Sequence, residues 1–201
     1  MAEQVFDFYY DFASPNAYLV HKVLPRIEAR AGAVARYCPV YLGGVFKATG
    51  NVSPAFAGVT GKVEYLRREM DRFVRRHDIP FAWTPHFPIP SINLMRGAVY
   101  ARGKPWERQY IDAMFKACWV SGDDLKDLRA MGRELSADGL PGVEIMDGVQ
   151  QPDVKAALFA ETEAAVARGV FGVPTLFVGD EMFFGKDSLA EFEAEIVAQQ
   201  S

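Results

Sequence analysis

The chain has 201 residues, half of them hydrophobic, which is enough to bury a core in one domain or in one domain with a sizeable insertion. Its formal net charge of −4 disfavours nucleic acids and anionic membranes as main partners. No apolar run has the length of a membrane span, and residues 1–4 lack the start of a secretory signal. The two cysteines, Cys38 and Cys118, form no paired motif, so we expect a cytoplasmic protein without a structural disulfide.

The first forty residues have the pattern of a β-α-β unit. Val5 to Tyr10 is a short apolar and aromatic run that predicts a buried strand. Ser14 and Pro15 follow it, and these residue types favour the N-cap and the first position of a helix. Apolar residues then recur at helical spacing: Ala17, Val20, Leu24 and Ile27. Gly32 ends this helix, and residues 34–40 are predicted to form a second strand.

The middle of the chain, from about residue 45 to residue 145, has helical periodicity. Four prolines in the eleven residues from Pro80 to Pro90 predict an irregular loop within it. Three apolar stripes predict helices: Val63, Leu66, Met70, Phe73, Val74 and His77; then Trp106, Tyr110, Ala113, Met114 and Ala117; then Leu125, Leu128, Met131 and Leu135.

The C-terminal part returns to alternating elements. Residues 154–166 predict a helix, and Thr175–Val178 and Met182–Phe184 predict a hairpin around Gly179. Asp187 is expected to cap a last helix, whose inward face would carry Leu189, Phe192 and Ile196.

The order of elements is therefore β-α-β, a helical block, and α-β-β-α. Without the block, a thioredoxin-like core remains. We predict an α/β, thioredoxin-like fold with a large all-helical insertion. Residues 1–44 and 146–201 would form the thioredoxin-like domain, and residues 45–145 would form the inserted helical domain.

Two short segments have the residue types of a functional site. A helix N-terminus presents unpaired N–H groups and a partial positive charge, and Ser14 at such a terminus could donate a hydrogen bond to a thiolate brought by a ligand. From this junction alone, a plain N-cap is the commoner role of such a serine. Pro174 is predicted at a strand start, at a sheet edge or in a special turn. A cis Val173–Pro174 bond would turn the Val173 backbone outward, whereas a trans bond would make Pro174 a simple strand-initiating residue.

The sequence resembles the kappa-class glutathione transferases and the 2-hydroxychromene-2-carboxylate isomerases, within the wider DsbA-like branch. Four segments carry this resemblance, which covers nearly the whole chain: Phe8 to Pro15 (FYYDFASP), Gly43 to Asn51 (GGVFKATGN), Phe171 to Thr175 (FGVPT) and Phe184 to Leu189 (FGKDSL).

The resemblance implies a glutathione site. Ser14 would contact and stabilise the glutathione thiolate, and Asn51 would bind the glutathione backbone. Val173, before a cis Pro174, would pair through its main chain with the cysteinyl part of the tripeptide.

The γ-glutamyl end would be held by Asp187 and Ser188. A carboxylate at Asp187 suits the free ammonium, and the helix N-terminus and the Ser188 hydroxyl suit the carboxylate. Lys47, the lone cation of the Gly43 to Asn51 segment, could bind a substrate carboxylate, although an exposed loop lysine is the alternative. Phe87, in a loop from Trp83 to Pro90, would line the second-substrate pocket.

The implied reaction is the glutathione-dependent interconversion of 2-hydroxychromene-2-carboxylate and trans-o-hydroxybenzylidenepyruvate in aromatic degradation. The alternative is a kappa-class-like glutathione transferase that acts on small aromatic or electrophilic substrates. The resemblance also implies a homodimer. A dithiol oxidoreductase is disfavoured because Ser14 and Ala17 stand where that chemistry needs two cysteines. A non-catalytic glutathione-binding or peptide-binding module stays open.

No metal site is predicted. The histidines His21, His77 and His86 share no ligand spacing, and His21 and His77 are expected at the surface or at the edge of the core.

Overall fold

The computed structural model describes residues 4–53 and 58–200. The sheet contains four strands: β1 (Gln4–Tyr10), β2 (Ala33–Pro39), β3 (Thr175–Val178) and β4 (Glu181–Phe184). They form one mixed sheet in the order β2-β1-β3-β4, in which β1 pairs parallel to β2 and antiparallel to β3, and β4 pairs antiparallel to β3. β1 lies in the interior of the sheet, and the chain leads from its end through Ser14 into the first helix.

The described residues form nine α-helices around this sheet. They are α1 (Pro15–Ala31), α2 (Leu42–Thr49), α3 (Thr60–His77), α4 (Ile92–Ala101), α5 (Glu107–Lys116), α6 (Leu128–Ala137), α7 (Gly142–Gly148), α8 (Pro152–Ala167) and α9 (Leu189–Ala198). A π-helical turn, Ala117–Ser121, continues α5, and a 3₁₀ turn, Lys186–Ser188, precedes α9. None of the helices in the described part of the chain is long and apolar enough to cross a membrane.

The opening β-α-β unit has the predicted form, and its ends follow from the residue types. Ser14 is the N-cap of α1 and accepts a hydrogen bond from the Ala17 N–H, and Pro15 is the first helical residue. Gly32 ends the helix at a φ of 62°, in the left-handed region that glycine adopts without strain. The buried face of α1 covers the side of β1 that carries Phe6 and Phe8.

Several elements differ from the sequence prediction. Residues 42–49 form α2, so Lys47 lies on a helix and not in a loop. A methyl group at Gly44 would lie 3.2 Å from the Thr162 methyl, so the glycine allows α2 to pack closely against α8. The helix predicted from Leu125 begins at Leu128, because Asp127 caps it and accepts a hydrogen bond of 2.7 Å from the Ala130 N–H.

Two further predictions were wrong in detail. Asp187 does not cap α9: Ser188 stands at the N-cap, and the 3₁₀ turn comes between the hairpin and the helix. His21 is buried, where one ring nitrogen lies 2.9 Å from the Tyr37 hydroxyl and the other lies 2.8 Å from the Asp112 carboxylate. Burial lowers the pKa of His21 because it disfavours the charged ring.

The predicted division into residues 1–44 with 146–201 and residues 45–145 stays a prediction. One hydrophobic cluster includes Phe12 from the β1–α1 junction and both Tyr110 and Phe115 from α5. The rings of Phe12 and Phe115 meet edge to face, with their centroids 4.8 Å apart. The helical block is therefore packed directly against the junction that carries Ser14.

Candidate active site

Ser14 lies at the start of α1, where β1 ends, and only 6% of its surface is exposed. Its Oγ donates a hydrogen bond to the Val173 carbonyl at 3.2 Å and accepts one from the Ala17 N–H. The helix N-terminus places a partial positive charge at this hydroxyl. The structure thus joins the two segments that the sequence singled out, although 159 residues separate them.

Asp11 lies directly under this junction and is completely buried. Its carboxylate accepts hydrogen bonds from the Ala13 N–H at 2.8 Å, the Leu42 N–H at 2.7 Å and the Ser91 hydroxyl at 3.0 Å. Burial disfavours the charged carboxylate more than these three donors favour it, and it raises the pKa of Asp11 to about 6. Asp11 therefore ties the end of β1 to the starts of α2 and α4.

The helical block also holds the junction from the other side. The Trp119 indole N–H donates a buried hydrogen bond of 2.8 Å to the Phe12 carbonyl. The Met95 sulfur lies 3.4 Å from the Phe12 amide nitrogen. Both polar groups of the Phe12 backbone are thus paired within the protein, which fixes the entry of the chain into α1.

The segment before β3 is held at several points. The Val173–Pro174 peptide bond is cis. The Asn51 side-chain amide donates a hydrogen bond of 2.8 Å to the Phe171 carbonyl, and the Gly185 N–H donates one of 2.9 Å to the Pro174 carbonyl. Asn51 itself is exposed. The predicted residues Asn51, Val173 and Pro174 thus belong to one hydrogen-bonded group with Ser14.

Asp187 and Ser188 continue this group beyond β4. The Ser188 hydroxyl donates a hydrogen bond of 2.9 Å to the Gly185 carbonyl. The Asp187 side chain is 74% exposed, and both of its oxygens accept hydrogen bonds from the Lys186 ammonium at 3.0 and 3.2 Å. The Lys186 side chain is 2% exposed and also pairs with Glu69 of α3.

An aromatic wall lies beside the first turn of α1 and consists of Tyr18, Phe81, Trp83 and Trp119. The Tyr18 hydroxyl donates a hydrogen bond to the Pro80 carbonyl, and the Ala82 N–H donates one of 2.7 Å to the Trp119 carbonyl. The Phe81 ring is parallel to the Trp119 ring and edge-on to the Trp83 ring, with centroids 6.0 and 5.2 Å away. The Pro80 to Pro90 loop therefore packs on the part of the block that holds Phe12.

The two residues predicted for the second substrate lie outside the hydrogen-bonded group around Ser14. Phe87 stands in the same proline-rich loop, is 38% exposed and precedes Pro88 through a cis bond. Lys47 lies on α2 and lines a cavity that is also lined by α4 and α8. Ser14 and Val173 are not among the described residues of that lining. The roles of Lys47 and Phe87 stay predictions.

Four residues around the site are not among those predicted from the sequence: Asp11, Trp119, Lys186 and Glu69. An acid directly after a buried strand is a signal that could have pointed to Asp11. The Lys186–Glu69 pair joins residues 117 positions apart, and the pattern of neither segment indicates it.

The described residues hold no group of three or more His, Cys, Asp or Glu side chains that could bind a metal ion. Both cysteines are free, and Cys118 is buried.

The whole arrangement matches a known class of protein. The family described as the DSBA-like thioredoxin domain matches residues 5–197 of this chain. A solved structure of a 2-hydroxychromene-2-carboxylate isomerase superposes with a TM-score of 0.85 and 28% identity, over 98% of this chain and 96% of that one. The predicted thioredoxin-like fold of the DsbA type is therefore confirmed.

Sequence relatives narrow the class. A 2-hydroxychromene-2-carboxylate isomerase of Pseudomonas putida is 31% identical over 192 residues, which is 94% of this chain and 93% of that protein. The glutathione S-transferase kappa 1 of Caenorhabditis elegans is 33% identical over 82 residues, which is 40% of this chain and 35% of that protein. The chain thus belongs to the DsbA-like thioredoxin family, in the branch of the 2-hydroxychromene-2-carboxylate isomerases and kappa-class glutathione transferases.

Proposed function

We propose that this protein is a glutathione-dependent isomerase that interconverts 2-hydroxychromene-2-carboxylate and trans-o-hydroxybenzylidenepyruvate in the degradation of aromatic compounds. The observation that carries the proposal is Ser14 at the N-terminus of α1, hydrogen-bonded to the Val173 carbonyl. Full-length relatives that carry this isomerase name at about 30% identity support it.

The residues around Ser14 fit a glutathione tripeptide in their chemistry. The side-chain oxygen of Asn16, in the first turn of α1, is buried and has no hydrogen-bond partner among the described residues. A buried acceptor without a partner is costly, and the amide N–H groups of a peptide ligand are suitable donors. The exposed Asp187 carboxylate suits the free ammonium of the γ-glutamyl group.

Ser14 would act as a hydrogen-bond donor toward the bound sulfur. Its hydroxyl has a single proton, which it now shares with the Val173 carbonyl, so the hydroxyl must turn from that carbonyl to stabilise a thiolate. The N–H groups of the first turn of α1 would add their partial positive charge. When bound, glutathione would supply a nucleophilic thiol that can add to a conjugated substrate and leave again, which permits rotation about a former double bond.

The rest of the tripeptide would be held by Asn51, Val173, Pro174 and Ser188. The negative charge around Asp187 would favour the free ammonium of the γ-glutamyl group. Lys186 alone would neutralise Asp187. Because Glu69 also pairs with Lys186, the three side chains keep one net negative charge. Glu69 thus supports the proposed role of Asp187 from the helical block.

The aromatic wall suits a planar aromatic second substrate. Trp83, a residue of this wall, is 40% exposed, and Phe87 lies in the same loop. Lys47 stays the proposed partner of the substrate carboxylate. The cytoplasmic location and the homodimer also stay predictions.

A kappa-class-like glutathione transferase is the second candidate, supported by the partial match to the kappa 1 enzyme. It would use the same Ser14 and the same glutathione site with an electrophilic substrate.

The test follows the absorbance change of 2-hydroxychromene-2-carboxylate with purified protein, with and without reduced glutathione. We expect conversion only with glutathione, and a loss of roughly a hundredfold or more in Ser14→Ala, because a preorganised donor to a developing anion contributes about that factor. Ser136→Ala is the matched control, because among the described residues the Ser136 hydroxyl bonds only the Gly132 carbonyl. Glutathione binding without conversion would favour the transferase, and conversion without glutathione would refute both.

A further inference from the structure

A cavity of about 370 Å³ lies between α2, α4 and α8. Its walls are mainly apolar and include Ala48, Ile92, Leu158 and Phe159. The Phe159 side chain is 65% exposed at the mouth, which leaves the cavity open to small molecules. A space of this size suits a compact organic molecule.

Three cations line this cavity: Lys47, Arg96 and Lys155. None of them has a carboxylate within 4 Å among the described residues. Their contacts are with neutral groups: the Arg96 guanidinium donates to the Asn93 side chain at 3.2 Å, and the Lys155 ammonium donates to the Gln150 side chain at 3.1 Å. One acid, the exposed Glu163, also lies in the lining, so the cavity keeps an excess of two positive charges.

Arg96 supplies a more specific signal. Its Nε is buried and has no hydrogen-bond partner in the part of the chain that the structure describes. A guanidinium N–H that is removed from water costs free energy unless it meets an acceptor. Arg96 lines the cavity, and a carboxylate matches the geometry of a guanidinium best because it can accept from two N–H groups at once.

A larger cavity elsewhere in the molecule is also lined by cations, but those cations have ionic partners. That cavity, of about 730 Å³, is lined by Arg36, Arg102, Lys104 and Arg108. Each of these four cations already pairs with a carboxylate of the protein. An incoming anion would have to displace those partners, whereas the smaller cavity offers cations without ionic partners.

The smaller cavity and the Ser14 group lie on different sides of α2. Gly44 and Ala48, one turn apart, face the cavity. Val45, about 100° further around the helix, packs in a hydrophobic cluster with Val173. Binding in the cavity therefore needs neither Ser14 nor glutathione.

We propose that the cavity between α2, α4 and α8 binds an organic carboxylate with an apolar body. The carboxylate pairs with Arg96 and Lys155, and the apolar body lies against Ile92, Leu158 and Phe159. Because the cavity and Ser14 lie on different sides of α2, this carboxylate is a ligand separate from the substrate that would meet the thiolate at Ser14.

Isothermal titration calorimetry with naphthalene-2-carboxylate tests this proposal. We expect binding to the wild type, about tenfold weaker binding to Arg96→Gln, and little binding to Ala48→Phe, which fills the cavity without changing its charge. Lys62→Gln, an exposed lysine of α3 outside the lining, is the matched control and should bind as the wild type does. The neutral analogue 2-naphthalenemethanol should bind weakly and equally to the wild type and Arg96→Gln. Thermal unfolding confirms that each variant is folded.

No binding to the wild type, or equal binding to the wild type, Arg96→Gln and Ala48→Phe, would overturn the proposal. Wild-type affinity in Ser14→Ala keeps this test separate from the proposed enzymatic function. Inhibition kinetics then compare this ligand with the substrate. An unchanged KM in Arg96→Gln supports a separate ligand, whereas competitive inhibition by the naphthoate with a raised KM in Arg96→Gln would overturn that assignment.

Discussion

The two sides of α2 differ in how their polar groups are satisfied. On one side, at the β1–α1 junction, Asp11 accepts three hydrogen bonds, and Ser14 both donates and accepts one. On the other side, the Arg96 Nε is buried and unpaired among the described residues, and its two neighbouring lysines have no ionic partners there. The junction is built for fixed geometry, while the cavity retains charge that a ligand can meet. Four changes test this contrast.

The largest effect is expected at Trp119. Trp119→Phe should lower the free energy of unfolding by roughly 4 kcal/mol, because the Phe12 carbonyl loses its buried donor and the smaller ring leaves space in the core. Urea unfolding followed by circular dichroism measures this loss. Trp106→Phe, at a half-buried indole, should change the free energy of unfolding by less than about 1 kcal/mol. Equal losses in the two variants would contradict a special role for the Phe12 contact.

Asp11 should make the stability of the protein depend on pH. Its pKa rises from 3.8 to about 6 on folding, so the folded state binds the proton more tightly and stability is lost as the pH rises through this window. The loss should be roughly 3 kcal/mol between about pH 4 and pH 7. His21, whose pKa is lowered, acts in the opposite direction in part of this window, since its contribution is lost as the pH falls.

The comparison with Asp11→Asn separates these two contributions. His21 is common to both proteins, so its effect cancels in the difference between their free energies of unfolding. We expect the wild type to lose roughly 3 kcal/mol relative to Asp11→Asn as the pH rises from about 4 to 7. A difference that does not change with pH would show that Asp11 titrates normally.

A smaller effect is expected from the charge balance at Asp187. Glu69→Gln leaves the three-residue cluster neutral, which should weaken glutathione binding about fivefold, because Asp187 is exposed and water screens its charge. A glutathione analogue without the γ-glutamyl amino group should bind the wild type and Glu69→Gln equally. Calorimetric titration measures both ligands, and Glu64→Gln, at an exposed residue of the same helix, is the control. Equal weakening for both ligands would refute the charge argument.

The smallest effect is expected at the cavity itself. Arg96→Gln should change the free energy of unfolding by less than about 0.5 kcal/mol, because it removes a cation that has no ionic partner. Arg102→Gln loses a bidentate pair with Glu161, at 2.6 Å for both bonds, and should cost up to about 1 kcal/mol for this partly exposed pair. A larger loss in Arg96→Gln than in Arg102→Gln would show that Arg96 is a structural residue.

The local sequence determined the elements whose signals are short in range. Ser14 and Pro15 start α1, Gly32 ends it, and the four prolines of the Pro80 to Pro90 segment exclude a helix or strand there. The hairpin around Gly179 has the two predicted strands, and the second begins one residue earlier, at Glu181. These elements depend on residue type and periodicity within a few positions, so the sequence alone predicts them.

Only the tertiary structure decided the contacts that assemble the candidate site. The Ser14 hydroxyl meets a carbonyl 159 residues away, and the Trp119 indole meets one 107 residues away. The buried Lys186 pairs with Glu69 on a distant helix, and Gly44 lets α2 pack closely against α8. Such pairings depend on which surfaces pack together, and burial gives them their strength. The periodicity of a single segment contains no information about its partner.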